Sequence, residues 1–335
     1  VAAATLGKRY DICADEALNT VQREWETQRD LGSLRPKLRR LGSPQTNAQK
    51  QSVKNFLNGR PCSTSAPMRL SRSGSDVYVE DNRGHKILTL PFYTKGNKNK
   101  GLKTYRSLDV LSNFYTPRNG VVFTTDPNNI AVWPSTENIF QSLKFTGDAT
   151  DDTEVQEELR RFISRCTPYE AFLVGGIGKK NLDGSATKVG KGPGGFAFKS
   201  DEKERMRQKI NREYLGRIRC RTDWDDYRLI AMIRAVLCRI SYNKDGQNLI
   251  PSAGNIRSVQ NELVDPLFVT ALLDRPNNAL FVEHTYNDKI WADGGDGGTG
   301  TTGSNYLGKI LTAVSILLQG RDCSSIPLLK KLIAV

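Results

Sequence analysis

The sequence predicts an α+β fold, richer in helix than in strand, with a small β-sheet and a basic N-terminal extension. Three stretches of the 335-residue chain carry that expectation. "RTDWDDYRLIAMIRAVLCRI" (221–240) sets Leu229, Ile233, Val236, Leu237 and Ile240 on one helical face. "DVYVEDNRGHKILTLPFY" reads as two strands around an Asn-Arg-Gly turn. "WPSTENIFQSLKF" (133–145) opens with Pro and Ser/Thr, as helices do.

Taken in order, residues 1–75 read as an extension. It holds one helix-compatible stretch, residues 14–30, with Leu18, Val21 and Trp25 at helical spacing. Beyond it the chain is polar, basic and rich in Ser, Gly and Pro. The packed domain is expected over 76–330, interrupted at about 176–212 by a Gly- and Lys-rich surface insertion. That insertion contains no G-x-x-x-x-G-K-[ST] phosphate loop, because Gly190-Lys191 lacks the earlier glycine and is followed by glycine. In the 221–240 helix, Thr222 and Asp225 stand at capping-box spacing.

The net charge of +13 is concentrated at the front: residues 1–105 carry 19 Lys and Arg against 9 Asp and Glu. Between Leu31 and Arg60 there are basic residues, Arg35, Lys37, Arg39 and Arg40 foremost, and no acidic one. Such a run attracts a phosphate backbone by releasing its counterions, or it is a solvated tail that aids solubility. No apolar run is long enough to span a bilayer, so no membrane partner is expected. The six cysteines form no C-x-x-C pair, and only His85 and His284 could join them as ligands. A reduced intracellular protein, cytoplasmic or nuclear, with no metal and no cofactor fits best.

Two stretches bring chemistry-bearing groups together. In "STENIFQSLKF", Ile139, Phe140 and Leu143 share one side of a helix, while Glu137, Gln141 and Lys144 fall within about 60° on another at 100° per residue. Without a partner, that stripe is more often a solvent-facing one with weak ion pairs. In "WADGGDGGTGTTGSN" (291–305), Trp291, Asp293 and Asp296 lie in a run of glycines between two folded-looking segments. Glycines there let backbone approach something closely. The Asp-Gly-Gly-Asp spacing does not match an EF-hand loop. Asp288 precedes the run, and Trp224 and Arg228 stand one helical turn apart, so three of the four tryptophans lie beside carboxylates. That grouping suits a nucleotide or sugar pocket, where flat rings stack and carboxylates hold hydroxyls. His284 in "VEHT" reads as a hydrogen-bonded structural histidine rather than a base.

In order along the chain, "LSNFY", "WPSTENIFQSLKF", "RTDW…R…M", "LVDPLFVTALLDR", "FVEHT", "D..WADGGDG" and "N.LGKIL" resemble the NADAR family of riboflavin-intermediate N-glycosidase-like domains. The resemblance covers about residues 86–320 and leaves the extension outside. Glu137, Lys144, Trp224, Trp291, Asp293 and Asp296 match the pattern. Asn138 replaces a usual His, Ala292 replaces a usual Gly, and both the glycine loop and the insertion are longer than usual. The resemblance implies hydrolysis of an N-glycosidic bond between ribose and a base-like amine. On that reading Glu137, Lys144 and Asp296 are catalytic. Asn113, Trp133, Trp224, Arg228, Asp288, Trp291, Asp293, Gly294, Gly295 and Asn305 contact the ligand, and Arg35, Lys37, Arg39 and Arg40 contact nucleic acid. The expected substrate is ADP-ribose on guanine in DNA or RNA, with ADP-ribose as product. The alternatives are ribosylamino-pyrimidine intermediates of riboflavin synthesis, or a non-catalytic ADP-ribose or nucleic-acid binding module.

Overall fold

The computed structural model describes residues 68–93, 106–126, 129–146, 153–177, 198, 200–214, 217–218, 220–243 and 256–319. The helix expected over 14–30, the cations Arg35, Lys37, Arg39 and Arg40, and most of the insertion lie outside them. The described part is a mixed α+β fold.

Strands β1 (Arg69–Ser73), β2 (Asp76–Glu80) and β3 (Lys86–Phe92) form an antiparallel meander, and β6 (Ala279–Glu283) pairs with β3 in parallel. β2 and β3 are the two strands the sequence predicts, and alternation buries Val77, Val79, Ile87 and Thr89. The ladder between β2 and β3 runs only to Leu88, so Pro91, which has no N–H to give, lies beyond it. β1 falls within the stretch read as extension. Its pairing with β2 and the Arg69–Glu80 ion pair at 2.8 Å carry the sheet back ahead of residue 76.

Strand β6 is buried at every position, and its run Ala-Leu-Phe-Val is apolar throughout, as parallel strands covered on both faces are. One cover is helix α8 (Tyr306–Leu318), itself almost wholly buried. The two are pinned by Asn305, in the left-handed conformation (φ 50°), whose side chain accepts from Glu283 N–H and donates to the Phe281 carbonyl, both at 3.0 Å. Gly308 lets the helix come that close, because a Cβ there would stand 2.1 Å from the Phe281 carbonyl oxygen. Gly308→Ala is therefore expected to cost about 1–3 kcal/mol, since backbone rather than a mobile side chain must give way. Urea unfolding monitored by circular dichroism checks it, and an unchanged midpoint would contradict this packing.

Away from the sheet, β4 (Val121–Asp126) and β5 (Asn129–Trp133) make a hairpin that leads into α1 (Thr136–Leu143). Helices α2 (Thr153–Arg165) and α3 (Pro168–Val174) pack on α1. The central helix α5 (Trp224–Ser241) buries Leu229, Ile233, Val236, Leu237 and Ile240 as expected, together with Tyr227, Ile230 and Met232. Its expected capping box does not form. Asp223 is the N-cap and makes no side-chain cap, because its carboxylate is gripped by the Arg221 guanidinium. The chain between 201 and 212, read as loose insertion, instead begins α4 (Asp201–Lys209) and a π-helical turn (Ile210–Tyr214). Ser200 caps α4, acids fill its first turn, Arg207 and Lys209 its last, and Lys203 reaches the buried Glu170 at 2.7 Å. Short helix α6 (Ile256–Val259) and α7 (Pro266–Leu273) complete the set. Among the described residues no helix is long and apolar enough to cross a membrane.

Candidate active site

Every residue of α1 is buried, and this decides how its polar stripe is read. Glu137 is 4% exposed and Lys144 7%, so the stripe does not face solvent. Ser135 caps the helix through Asn138 N–H, and Asn138 fastens it to α2 by donating to the carbonyls of Ile163 and Cys166, each at 2.8 Å. The amide nitrogen of Glu137 donates to the Asn113 carbonyl at 3.1 Å. The first turn of helix α1 is thus held by three separate segments, which fixes Glu137.

Glu137 accepts a hydrogen bond from the Gln141 side-chain amide. Burial pushes its carboxyl up to about 7, with Asp288 adding repulsion, while Gln141 and Lys144 oppose the rise. Lys144 donates to the Gly175 carbonyl at 3.1 Å and lies 5.4 Å from the Trp224 ring and 5.7 Å from the Phe140 ring. Phe140 touches Trp224 at 5.2 Å and Trp291 at 5.3 Å between centroids. A carboxyl poised near neutrality, an amine and three aromatic rings are therefore gathered from α1, the start of α5 and the glycine loop.

Glu283, the last residue of β6, joins them and was missed by sequence reasoning. It is 6% exposed, and burial raises its carboxyl well above the usual range, with Asp288, Glu137 and Asp293 all pushing the same way. No hydrogen bond among the described residues offsets that rise, so burial and the neighbouring carboxylates together favour its protonated form. The available signal was a lone carboxylate closing an otherwise apolar strand, "ALFVE". Asp288 links the two glutamates electrostatically and caps the turn at Trp291, its Oδ1 accepting from the amides of Ile290 and Trp291 at 2.8 and 2.9 Å.

Several expected contacts have other duties. Asp293, fully buried, accepts from His284 Nδ1 (2.7 Å) and from the amides of Thr285 (3.1 Å), Gly295 (2.8 Å) and Gly297 (2.6 Å). Asp296, expected to be catalytic, has both oxygens occupied by the amides of Gly298, Thr299, Thr301 and Thr302 and the Thr301 hydroxyl. Burial opposes its ionisation, but those donors outweigh it and hold the carboxyl below the usual range. The glycine run therefore closes around its own two aspartates. Gly294 and Gly295 have φ of 62° and 91°, and a Cβ on Gly295 would meet the Tyr286 ring at 2.1 Å. His284 is the structural histidine the sequence suggested, held by Asp293.

Asn113 is buried and serves α1 through its carbonyl, its side-chain amide lying 3.3 Å from Met232 Sδ. Asn305 is engaged with β6. Trp133 is a core residue of the hairpin, packed edge-on against Phe123 at 6.2 Å. Arg228 is half-buried beside an exposed Asp225 at 3.6 Å and acts electrostatically on Tyr306, a neighbour of Trp291 at 6.3 Å, which leaves it at the rim. A separate cavity of about 660 Å³ lies between α2 and α4. Five of the six cations lining it, Arg205 excepted, are held by carboxylates, so it offers little net attraction to an anion.

The close approach of α3 to α1 yields a test of the stripe. A Cβ on Gly175 would stand 1.7 Å from Gln141 Oε1. Gly175→Ala must displace Gln141 and so remove a hydrogen bond that pulls Glu137 down. The Glu137 limb of a pH–activity profile is then expected to move upward, with turnover at pH 7 reduced about ten-fold. A profile that stays in place would detach Gln141 from Glu137.

Compared with protein-family models, with curated proteins and with solved structures, the chain finds no match in any of the three.

Proposed function

We propose that this protein is an N-glycosidase that removes ADP-ribose from guanine bases of DNA or RNA. The observation that carries the reading is the buried pair Glu137 and Glu283, both pushed toward the protonated form by burial, with Glu137 also acting on Glu283 and Lys144 on Glu137. Breaking an N-glycoside builds positive charge on the anomeric carbon and requires a proton for the leaving nitrogen. In this reaction the C1′–N electron pair leaves with the base nitrogen, which takes its proton from Glu283. The Lys144 amine bonds to C1′ and passes a proton to Glu137. That proton returns to the ring oxygen as the sugar opens to a Schiff base. Water then adds to C1′, the lysine departs as an amine, and the water's other proton restores Glu283. Trp224 and Trp291 supply flat surfaces for the rings of the substrate. The resemblance of the motif order to NADAR domains supports the reaction class. The basic run from Arg35 to Arg40 supports a nucleic-acid substrate over a free metabolite.

The test is release of free ADP-ribose from a guanine-ADP-ribosylated oligonucleotide by wild type, Glu137→Gln, Glu283→Gln and Lys144→Ala. Loss of release in all three variants, with borohydride trapping the sugar on Lys144, is the expected outcome. An adduct on Lys309, whose buried amine is pushed down to about 7, would move the covalent step to α8. No release by folded wild type transfers the reading to ribosylamino-pyrimidines, and failure there leaves a binding module.

A further inference from the structure

A cavity of about 180 Å³ lies between the β4–β5 hairpin and α2, and none of Glu137, Gln141 and Lys144 lines it. One wall follows from strand alternation. Ala131 and Trp133 turn inward, opposite Phe123 and Val121 in the hairpin register, while Val132 between them is 56% exposed. The other wall is Glu157, Arg160 and Arg161 of α2. Their spacing of three and four residues brings both guanidiniums to one carboxylate, Arg160 Nη1 at 3.4 Å and Arg161 Nε at 3.3 Å. Two cations thus share a single anion.

Two donors of these walls have no acceptor among the described residues: Nε1 of the buried Trp133 and the buried Nε of Arg160. Polar groups taken that far from water nearly always find a partner, so two of them on separate elements lining one cavity call for an acceptor that enters it. Burial weakens the hold of Arg160 on its proton, against Glu157 and Tyr227, and a desolvated cation favours an anion over water. The cavity is smaller than the roughly 300–1,000 Å³ of pockets for drug-sized ligands, so it suits one oxyanion and not a whole nucleotide. A phosphate presents oxygens in four directions and can meet an indole and a guanidinium that approach from different elements.

We propose that this cavity binds one phosphate group, held by Trp133 Nε1 and Arg160 Nε, with the exposed Arg161 at its rim. The site stands independently of the hydrolase reading. Free phosphate and a nucleic-acid backbone offer it the same oxygens.

The experiment follows the indole N–H resonances of the full chain by NMR during titration with inorganic phosphate at constant ionic strength. Trp133→Phe assigns the Trp133 signal by its disappearance, or the same change at the other three tryptophans does so by elimination. Phosphate is expected to move that signal to saturation. Arg160→Met keeps the packed stem and removes the charge, and should weaken the response about ten-fold. Unmoved signals from the other indoles show that this variant is folded; if it is not, Arg160→Lys, which keeps a charge but lacks Nε, takes its place. Movement caused by a single-stranded oligonucleotide, with or without a response to inorganic phosphate, assigns the site to a backbone phosphate. Movement by inorganic phosphate alone assigns it to the free ion. No movement with either, equal movement with acetate, or an undiminished response in the Arg160 variant overturns the site.

Discussion

Glu137→Gln is expected to abolish most turnover, by about 10²–10⁴-fold, and at the same time to make the protein more stable than wild type at pH 8. The second half follows from the burial that tunes the first. The unfolded chain holds this carboxyl near 4.5 and the folded one near 7. A group whose folded value is raised binds its proton more tightly when folded. Its contribution to stability is complete below pH 4.5 and is lost as pH rises through 7. The loss is of the order of 3 kcal/mol, at about 1.4 kcal/mol per pH unit across that window. Glutamine fits the same space, keeps an oxygen for the Gln141 amide and never ionises, so its stability lacks this pH dependence. Urea unfolding at pH 5 and pH 8 separates the cases. The variant should match wild type at the lower pH and exceed it at the higher one. Equal destabilisation at both would mean that Glu137 is an ordinary paired carboxylate and no catalytic group. Glu283→Gln is expected to behave in the same direction, because its carboxyl is raised by the same burial and the same neighbours.

How much of this was legible in the sequence differs by element. Helices α1 and α5 and strands β2 and β3 could be read because each repeats apolar residues at its own period. The parallel seat of β6 could not, since a short continuous apolar run has no period to reveal, and its partner β3 lies nearly 200 residues earlier. The arc of Glu137, Gln141 and Lys144 was visible, but its burial was not: that depends on α3 closing over Gly175 and on the Asn113 turn, which are tertiary events. Glu283 was missed for the same reason, as a carboxylate at a strand end gains meaning only from the charges packed near it. The glycine loop misled in an instructive way. Aspartates followed by glycines one and two residues on are what Asx turns favour, so the pattern records a loop that folds on its own carboxylates. Trp224 and Trp291 reached the site because Phe140 lies between them, a contact that no spacing could show.

The strongest consequence of that loop is structural. Asp293→Ala removes an acceptor shared by four donors, His284 Nδ1 and the amides of Thr285, Gly295 and Gly297, at a residue with no exposure. Alanine offers none of them a partner, and each buried unsatisfied donor costs about 1–3 kcal/mol. The terms are not additive, because the loop relaxes once the first is lost, but about 4 kcal/mol is a large share of the ~5–15 kcal/mol that holds a domain together. The melting temperature should fall by about 10 °C or more. Asp296→Ala should cost less, because Thr301 and Thr302 are exposed and water can replace the lost oxygen there. If Asp293 instead contacted substrate, as its place in the motif first suggested, alanine would raise KM and leave the melting temperature in place. The two measurements made on one variant therefore distinguish a carboxylate that builds the wall carrying Trp291 and Asp288 from one that touches what lies against it.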